Sequence, residues 1–430
     1  MVLLMTFQTN NDSDKDLAFD VVEGGGVTSA LGFRAGGIHA GFRKNPGRLD
    51  MALVEADELC PAAATFTQNV FCAAPVTVSK EHLGGQNYGL AKAVIVNSGC
   101  ANAATGSVGI ADAERTCQIV ADVVGCCANE VLVASTGVIG QLLNTVPFET
   151  AVPKLHKTMT RETGSDAASA IMTTDTYSKE RAIRYVSQDP ALGGATITLG
   201  GMAKGSGMIM PNMATMIAVI TTDAPLAPEV LHSALVHSVN QSFNKVTVDS
   251  DTSTNDSCFL FSNGGATSST VPFHPGSPAL ARFEQALEAV CQNLARQMAA
   301  DGEGATRLIT VTVRGAATAD DADAAARTVA NSPLVKTAVY GHDANWGRVA
   351  AALGRSGARF NQEDVDIDIL GLPVCRAGLV VDFDEEEALR RFEEPEVAIE
   401  VDLHAGEESA TMWTCDFSHE YVTINGDYRS

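Results

Sequence analysis

Met213 to Ile220 is an apolar run broken by a single hydroxyl, Thr215. A run of this length between turn residues reads as a fully buried strand. The preceding stretch, Gly200 to Asn212, reads as a flexible loop of glycines, Pro211 and one lysine, Lys204. The joint falls at Ala214-Thr215, with 214 residues before Thr215 and 216 from it onward. No internal repeat or low-complexity linker separates the halves, so both are expected to fold as one unit.

A threonine at the head of a buried strand has one special use. If the bond before it is cut, its hydroxyl becomes a nucleophile and its own α-amine the base that activates it. A free α-amine titrates near ~8 and can accept a proton at neutral pH, which a lysine near ~10.4 does poorly. Small Ala214 leaves its carbonyl open to attack. The commoner role of a buried threonine is a hydroxyl satisfied on neighbouring backbone. A phosphate loop over Gly200–Ser206 is excluded by order, because Lys204 precedes Gly205 where that motif needs Gly-Lys-Ser/Thr.

The 430 residues suffice for more than one core, and 45% apolar with 19% charged content is ordinary for a globular chain. A net charge of −23 argues against nucleic acid or an anionic membrane surface as partner. Ten cysteines are spread without a Cys-x-x-Cys pair, and no zinc spacing appears among nine histidines. Most are expected to be buried thiols in a reducing cytoplasm. No stretch has the ~18 apolar residues that span a bilayer. Residues 1–16 are expected to be disordered, and the first residues fit neither a signal peptide nor an Arg-rich presequence.

Along the chain, Ala64–Ser79 suggests two strand-like pieces around Ala73-Ala74-Pro75. Ala93–Val96 is a strand leading into a small polar loop at Asn97. A helix follows, with Ile110, Ala113, Cys117, Val120 and Val124 in phase. A second strand, Val131–Ala134, leads to Ser135-Thr136-Gly137. A tight Thr-Gly turn there could offer a hydroxyl and a backbone N–H to an oxyanion, and one such donor is worth ~3 kcal/mol of barrier; most Thr-Gly pairs are simply turns. Phe148–Met159 is helical, with Pro153 expected to set its start. Pro228–Gln241 and Pro278–Ala300 are amphipathic helices, the second capped by Ser277. The acidic run Val248–Asp256 lacks the central glycine and twelfth-position glutamate of a calcium loop. Glu303 follows Asp301-Gly302 at a helix end, where a carboxylate is commonly just solvated.

Several of these segments together resemble the glutamate N-acetyltransferase (ornithine acetyltransferase) family of arginine biosynthesis. The motifs are Ser135-Thr-Gly-Val-Ile-Gly140, Met172-Thr-Thr-Asp-Thr176, Lys204-Gly-Ser-Gly-Met-Ile209, Pro211-Asn-Met-Ala-Thr-Met216, Asp251-Thr-Ser-Thr-Asn-Asp256 and Asp301-Gly-Glu-Gly-Ala-Thr306. Gly341-His-Asp-Ala-Asn-Trp-Gly-Arg348 departs at Ala344, where the family often has proline. The resemblance implies an α/β fold of layered sheets flanked by helices, of the N-terminal-nucleophile kind. It implies self-cleavage at Ala214-Thr215 into an α chain (17–214) and a β chain (215–430), two of each forming a heterotetramer. Thr215 is then the nucleophile, and Thr136 and Gly137 form the oxyanion hole. Thr173, Lys204, Thr215, Glu303, Asn425 and Ser430 contact substrate. The implied reaction moves acetyl from N2-acetylornithine to glutamate without metal or organic cofactor, and acetyl-CoA stays open as a second donor. The rival reading within the same chemistry is an N-terminal-nucleophile aminopeptidase or amidohydrolase, in which water discharges the acyl-enzyme. A catalytically silent binding protein would instead keep its chain intact.

Overall fold

An apolar strand in mid-chain has to be covered on both faces, and long apolar helices elsewhere supply the cover. The computed structural model describes residues 19–210, 216–267 and 272–427. Among these, nine strands form one mixed sheet. In chain order they are β1 (Asp20–Val21), β2 (Phe33–Ile38), β3 (Met51–Phe66), β4 (Tyr88–Cys100), β5 (Val131–Val138), β6 (Lys179–Val186), β7 (Thr196–Lys204), β8 (Ile217–Thr222) and β9 (Ser257–Ser262). Across the sheet they run β1-β6-β7-β8-β9-β3-β4-β5, with β2 paired to β3. β8 therefore lies between β7, to which it is antiparallel, and β9, to which it is parallel.

Alternate side chains of the central strands enter different cores. Ala218, Ile220, Cys258 and Leu260 face one; Ile217, Val219, Phe259 and Phe261 face another. Helices α1 (Ala74–His82), α2 (Gly106–Val124), α3 (Val146–Thr158) and α4 (Gly164–Ala170) serve the β2–β5 side: α1 packs on β5 and α2, and α3 and α4 on β2. The first core is closed by α5 (Pro228–Asn240) and α6 (Pro278–Ala300), through Leu231, Leu235, Phe283, Leu287 and Leu294. Ser277 caps α6, accepting the Leu280 N–H at 3.1 Å.

A second sheet follows. Its strands are β10 (Leu308–Ala316), β11 (Asp366–Ile369), β12 (Leu372–Arg376), β13 (Leu379–Val380), β14 (Glu396–Asp402) and β15 (Glu408–Cys415), in the order β13-β12-β11-β14-β10-β15. It shares a core with α7 (Ala319–Ala330), α8 (Pro333–Tyr340), α9 (Trp346–Gly354) and α10 (Glu385–Arg391), and α11 (His419–Asp427) follows β15. Helix α6 touches β6 and β7 of the first sheet and β10 and β15 of the second. The result is an α/β molecule of layered sheets and helices. Among the described residues no helix is long and apolar enough to cross a membrane. Seven of the ten cysteines are buried, and all ten are free thiols.

Five local expectations are corrected. The loop expected at Asn97 begins later, because β4 runs on to Cys100, with Asn97 and Ser98 paired to Ser135 and Thr136 of β5. Gly200–Lys204 is strand, not loop, because β7 continues to Lys204. Its glycines serve packing: a Cβ on Gly200 would lie 2.1 Å from the Gly26 carbonyl oxygen. The second strand-like piece of 64–79 is helix α1, which Pro75 starts in its first turn, where no N–H is needed. Pro153 sits inside α3 rather than opening it. Burial of Phe148, Ala151, Val152 and Leu155 outweighs the one backbone bond that proline forgoes. Thr136-Gly137 belongs to β5, which runs on to Val138 alongside an irregularity at Gly99-Cys100.

Candidate active site

The ends of several elements converge on one cavity of about 160 Å³. β5 brings Thr136 and Gly137, the turn after α4 brings Thr173, and the end of β7 brings Lys204. The turn after α6 brings Glu303, and α11 brings Asn425. Ser253, Thr254 and Asn255, just before β9, complete the wall. Thus six of the residues singled out in the sequence share one cavity. Ala214, Thr215 and Ser430 lie outside the described residues; the nearest described residues on either side of the first two are Met210 and Met216. Lys204 pairs with Ile217 across the β7–β8 ladder. The Met216 N–H donates to Asp256 Oδ1 at 2.7 Å, and its carbonyl accepts from Ser257 N–H at 2.9 Å.

Each side chain is held by neighbours. Lys204 Nζ donates to Thr173 Oγ1 at 2.6 Å and lies 3.8 Å from Asp175 Oδ2. Burial pulls the Lys204 ammonium below its ordinary value, and the Asp175 carboxylate partly restores it. The Thr173 carbonyl is gripped by Arg48 at 3.0 Å, and the Met172 carbonyl by Arg43 at 2.7 Å. Asn425 Nδ2 donates to Glu303 Oε2 at 2.8 Å, and the Glu303 N–H to the Ser206 carbonyl at 2.8 Å. Ser206 Oγ in turn donates to the Asp301 carbonyl at 2.6 Å, fastening the end of β7 to the turn after α6. Gly137 has φ +129°, and a Cβ there would meet the Gly99 carbonyl carbon at 2.4 Å. No other residue fits that position.

Sequence reasoning quoted Asp175, Asn255, Asp256 and Asp301 within motifs, and took the run Asp251–Asp256 as a turn adjacent to the site, but gave none of these side chains a role. Asn255 Nδ2 donates to the carbonyls of Ser135 (2.8 Å) and Ala101 (2.6 Å), clamping the end of β5. Asp256 is fully buried; among the described residues its Oδ2 has no hydrogen-bond partner, and the nearby Thr67 hydroxyl donates to the Ser253 carbonyl at 2.7 Å. Burial pushes the Asp256 carboxyl well above the usual range. Asp175, Lys179 and Asp301 form a buried ion cluster next to Lys204. The acidic run Val248–Asp256 is a turn that reaches the cavity through Ser253, Thr254 and Asn255. Asp249 accepts the N–H groups of Met208 and Ile209 at 2.5 and 2.8 Å, so its carboxylate is spent on backbone. Among the described residues no cluster of three His, Cys, Asp or Glu side chains could hold a metal ion.

Chemically the cavity offers a cation, a carboxylate, hydroxyls and an amide within the reach of one small molecule. It is smaller than the ~300 Å³ at which drug-sized pockets begin, which suits an amino-acid-sized ligand.

Comparison with known proteins agrees with the motifs. The ArgJ family model matches residues 34–430. The arginine biosynthesis bifunctional protein ArgJ of Symbiobacterium thermophilum is 47% identical over 407 residues, covering 94% of this chain and 99% of the relative. The protein of the same name from Dehalococcoides mccartyi is 45% identical over 412 residues, covering 96% and 99%. Among solved structures, a chain of the arginine biosynthesis bifunctional protein of Bacillus halodurans is 43% identical, with a TM-score of 0.46, covering 48% of this chain and 97% of that one. With a family model matching nearly its whole length and relatives aligned from end to end at this identity, the chain belongs to the ArgJ family.

Proposed function

We propose that the chain cleaves itself between Ala214 and Thr215 and then moves acetyl from N2-acetylornithine to glutamate through an acetyl-Thr215 intermediate. The observation that carries this reading is the convergence of Thr136, Gly137, Thr173, Lys204, Glu303 and Asn425 on one small cavity, with Lys204 at the end of the strand before Thr215 and paired to Ile217, the first residue of the strand after it.

In the proposed maturation Thr215 Oγ attacks the Ala214 carbonyl, its nitrogen leaves as an amine, and water hydrolyses the resulting ester. In the mature enzyme that α-amine takes the Thr215 hydroxyl proton as Oγ attacks the acetyl carbonyl. The Thr136 hydroxyl and Gly137 N–H receive the negative charge on oxygen. The tetrahedral adduct collapses, and the departing α-nitrogen of ornithine takes the proton. Glutamate's amine then attacks the acetyl-threonine and leaves as N-acetylglutamate, a ping-pong cycle. Lys204, with Thr173 beside it, meets the substrate carboxylate; Glu303, oriented by Asn425, meets the substrate amine; Ser430 adds a contact from the chain end. No step needs a metal or an organic cofactor. Acetyl-CoA would load the same threonine as a second donor, in keeping with the word bifunctional in the relatives' names. The two pieces stay together and pair into a heterotetramer, and the reaction on small charged amino acids is set in the cytoplasm.

The test is intact-mass analysis on denatured protein, beside Thr215→Ala. Two pieces beginning at the native N-terminus and at Thr215, with an uncut and inactive variant, are expected. A wild type that transfers acetyl as one uncut chain overturns the reading.

A further inference from the structure

A group of buried charges adjoins the cavity without belonging to the proposed chemistry. Lys179, on β6, is fully buried and donates to Asp175 Oδ1 at 2.7 Å and to Asp301 Oδ2 at 2.5 Å. Asp175 is buried too. Its Oδ1 also accepts the Gly205 N–H at 2.7 Å, and its Oδ2 accepts the Thr173 N–H at 2.9 Å. Asp301 accepts the N–H and hydroxyl of Thr176, and it stands two residues before Glu303. One carboxylate, Asp175, is thus bonded to the residues on either side of the Lys204–Thr173 contact, and one lysine, Lys179, joins it to the turn that carries Glu303.

The distances sort direct bonds from field effects. Asp175 spends its hydrogen bonds on Lys179 and two backbone N–H groups, at 2.7 to 2.9 Å. It stands off from Lys204 at 3.8 Å. It therefore acts on the Lys204 ammonium by charge while leaving that ammonium's direct bonds to others. Thr173 Oγ1 takes one of the three donors. Asp175, Asp301, Lys179 and Lys204 sum to zero charge, so a substrate carboxylate arriving at Lys204 meets a cation whose own counter-charge is already satisfied elsewhere.

We propose that Asp175 is a positioning residue for substrate recognition: it keeps Lys204 charged and aimed at the substrate carboxylate, while Lys179 limits that pull and ties the Lys204 and Glu303 ends of the cavity together. The proposal rests on the reading that Lys204 meets a substrate carboxylate. The charged groups facing Lys204 act in both directions. Burial lowers its proton affinity most, Asp175 and Asp256 raise it, and Lys179 and Arg43 lower it. Removing Asp175 leaves a buried lysine that sheds its proton more readily. Removing Lys179 leaves Asp175 undiluted, and Lys204 holds its proton more tightly.

The experiment is the pH dependence of KM for N2-acetylornithine in the cleaved enzyme. The donor's α-nitrogen is an amide, and its side-chain amine titrates near ~10.4 as in lysine, so its own charges hold through the range of interest. In wild type KM rises on the alkaline side as Lys204 loses its proton. In Asp175→Asn that limb moves to lower pH by about one unit, and KM changes more than kcat. In Lys179→Met it moves to higher pH. The opposite shifts are the signature, because a purely structural role would lower kcat or stability in both variants without moving either limb. Limbs that stay in place, or move together, overturn the proposal. If Asp175→Asn does not fold, the direction in Lys179→Met alone decides. Lys204→Met is the separate check on the underlying reading: KM that does not rise in this variant defeats the assignment of Lys204 itself, whatever Asp175 does.

Discussion

Asp256 holds the backbone of Met216 with one oxygen, and among the described residues the other has no partner. Burial raises its proton affinity most, and the Met216 N–H and the Lys204 charge offset only part of that. For an acid whose folded pKa is raised, the favourable contribution is present below the unfolded value of ~3.9 and is lost as pH rises through the folded one. Asp256→Asn keeps an oxygen for Met216 and cannot ionise. In the uncut Thr215→Ala background, its melting temperature should therefore gain on the parent as pH rises, reaching about 2 °C. Thermal scans across pH 4 to 9 check this, and a constant difference refutes it. Asp256 also shows what a sequence hides at this scale. Lys204, Thr173 and Glu303 were legible because they sit in distinctive motifs. Asp175, Asp256, Asp301 and Lys179 were written in the same or adjacent stretches, but a charge in a sequence does not say whether it is buried or what faces it.

Among elements, those whose apolar residues repeat on one face were legible in kind, and their ends to within a residue or two: the helix expected over Pro228–Gln241 ends at Asn240, and the one expected over Phe148–Met159 runs from Val146 to Thr158. The helix Pro278–Ala300 has its capping serine, a proline in its first turn and one continuous buried face. The errors fell where local chemistry and packing disagree. Glycines in Gly200–Gly201 argue for a loop on propensity alone. They are strand because two backbones come together there: Gly200 lies against the Gly26 carbonyl, and Gly201 lies between Leu294 and Ile220. Pro153 argues for a helix start and is overruled by the buried face that Phe148, Ala151, Val152 and Leu155 give its helix. Gly200→Ala should therefore cost more than the ~1 kcal/mol that separates glycine from alanine propensities, and in the opposite sense, with about 2–3 kcal/mol lost to the clash. Urea unfolding measures it, and a neutral or stabilising substitution would mean that the 26–200 contact is not tight.

Across the whole molecule the sheet order matters more than the chain order. β8 and β9, which follow Thr215, stand between β7 and β3, which precede it. β8 is joined to β7 along Leu199–Lys204 against Ile217–Thr222, and β9 to β3 along Ala62–Phe66 against Ser257–Phe261. A cut at Ala214-Thr215 leaves these ladders untouched. The pieces should travel as one species under native conditions and part only in denaturant.

The same interleaving has a consequence for how such a protein could be made. Without β8 and β9, the earlier piece is left with two separate sheets, one ending at β7 and one at β3, each with bare hydrogen-bonding groups along a flank that was interior. The later piece holds a two-stranded parallel ribbon, open on both sides and apolar on both faces. Unpaired flanks of this kind recruit other chains. Expressed from separate genes in separate cells, each piece should be found in inclusion bodies. Translated together in one cell, they should meet and stay in solution. A soluble, folded half on its own would mean that the break in the chain coincides with a seam in the fold, and the strand order puts that seam elsewhere.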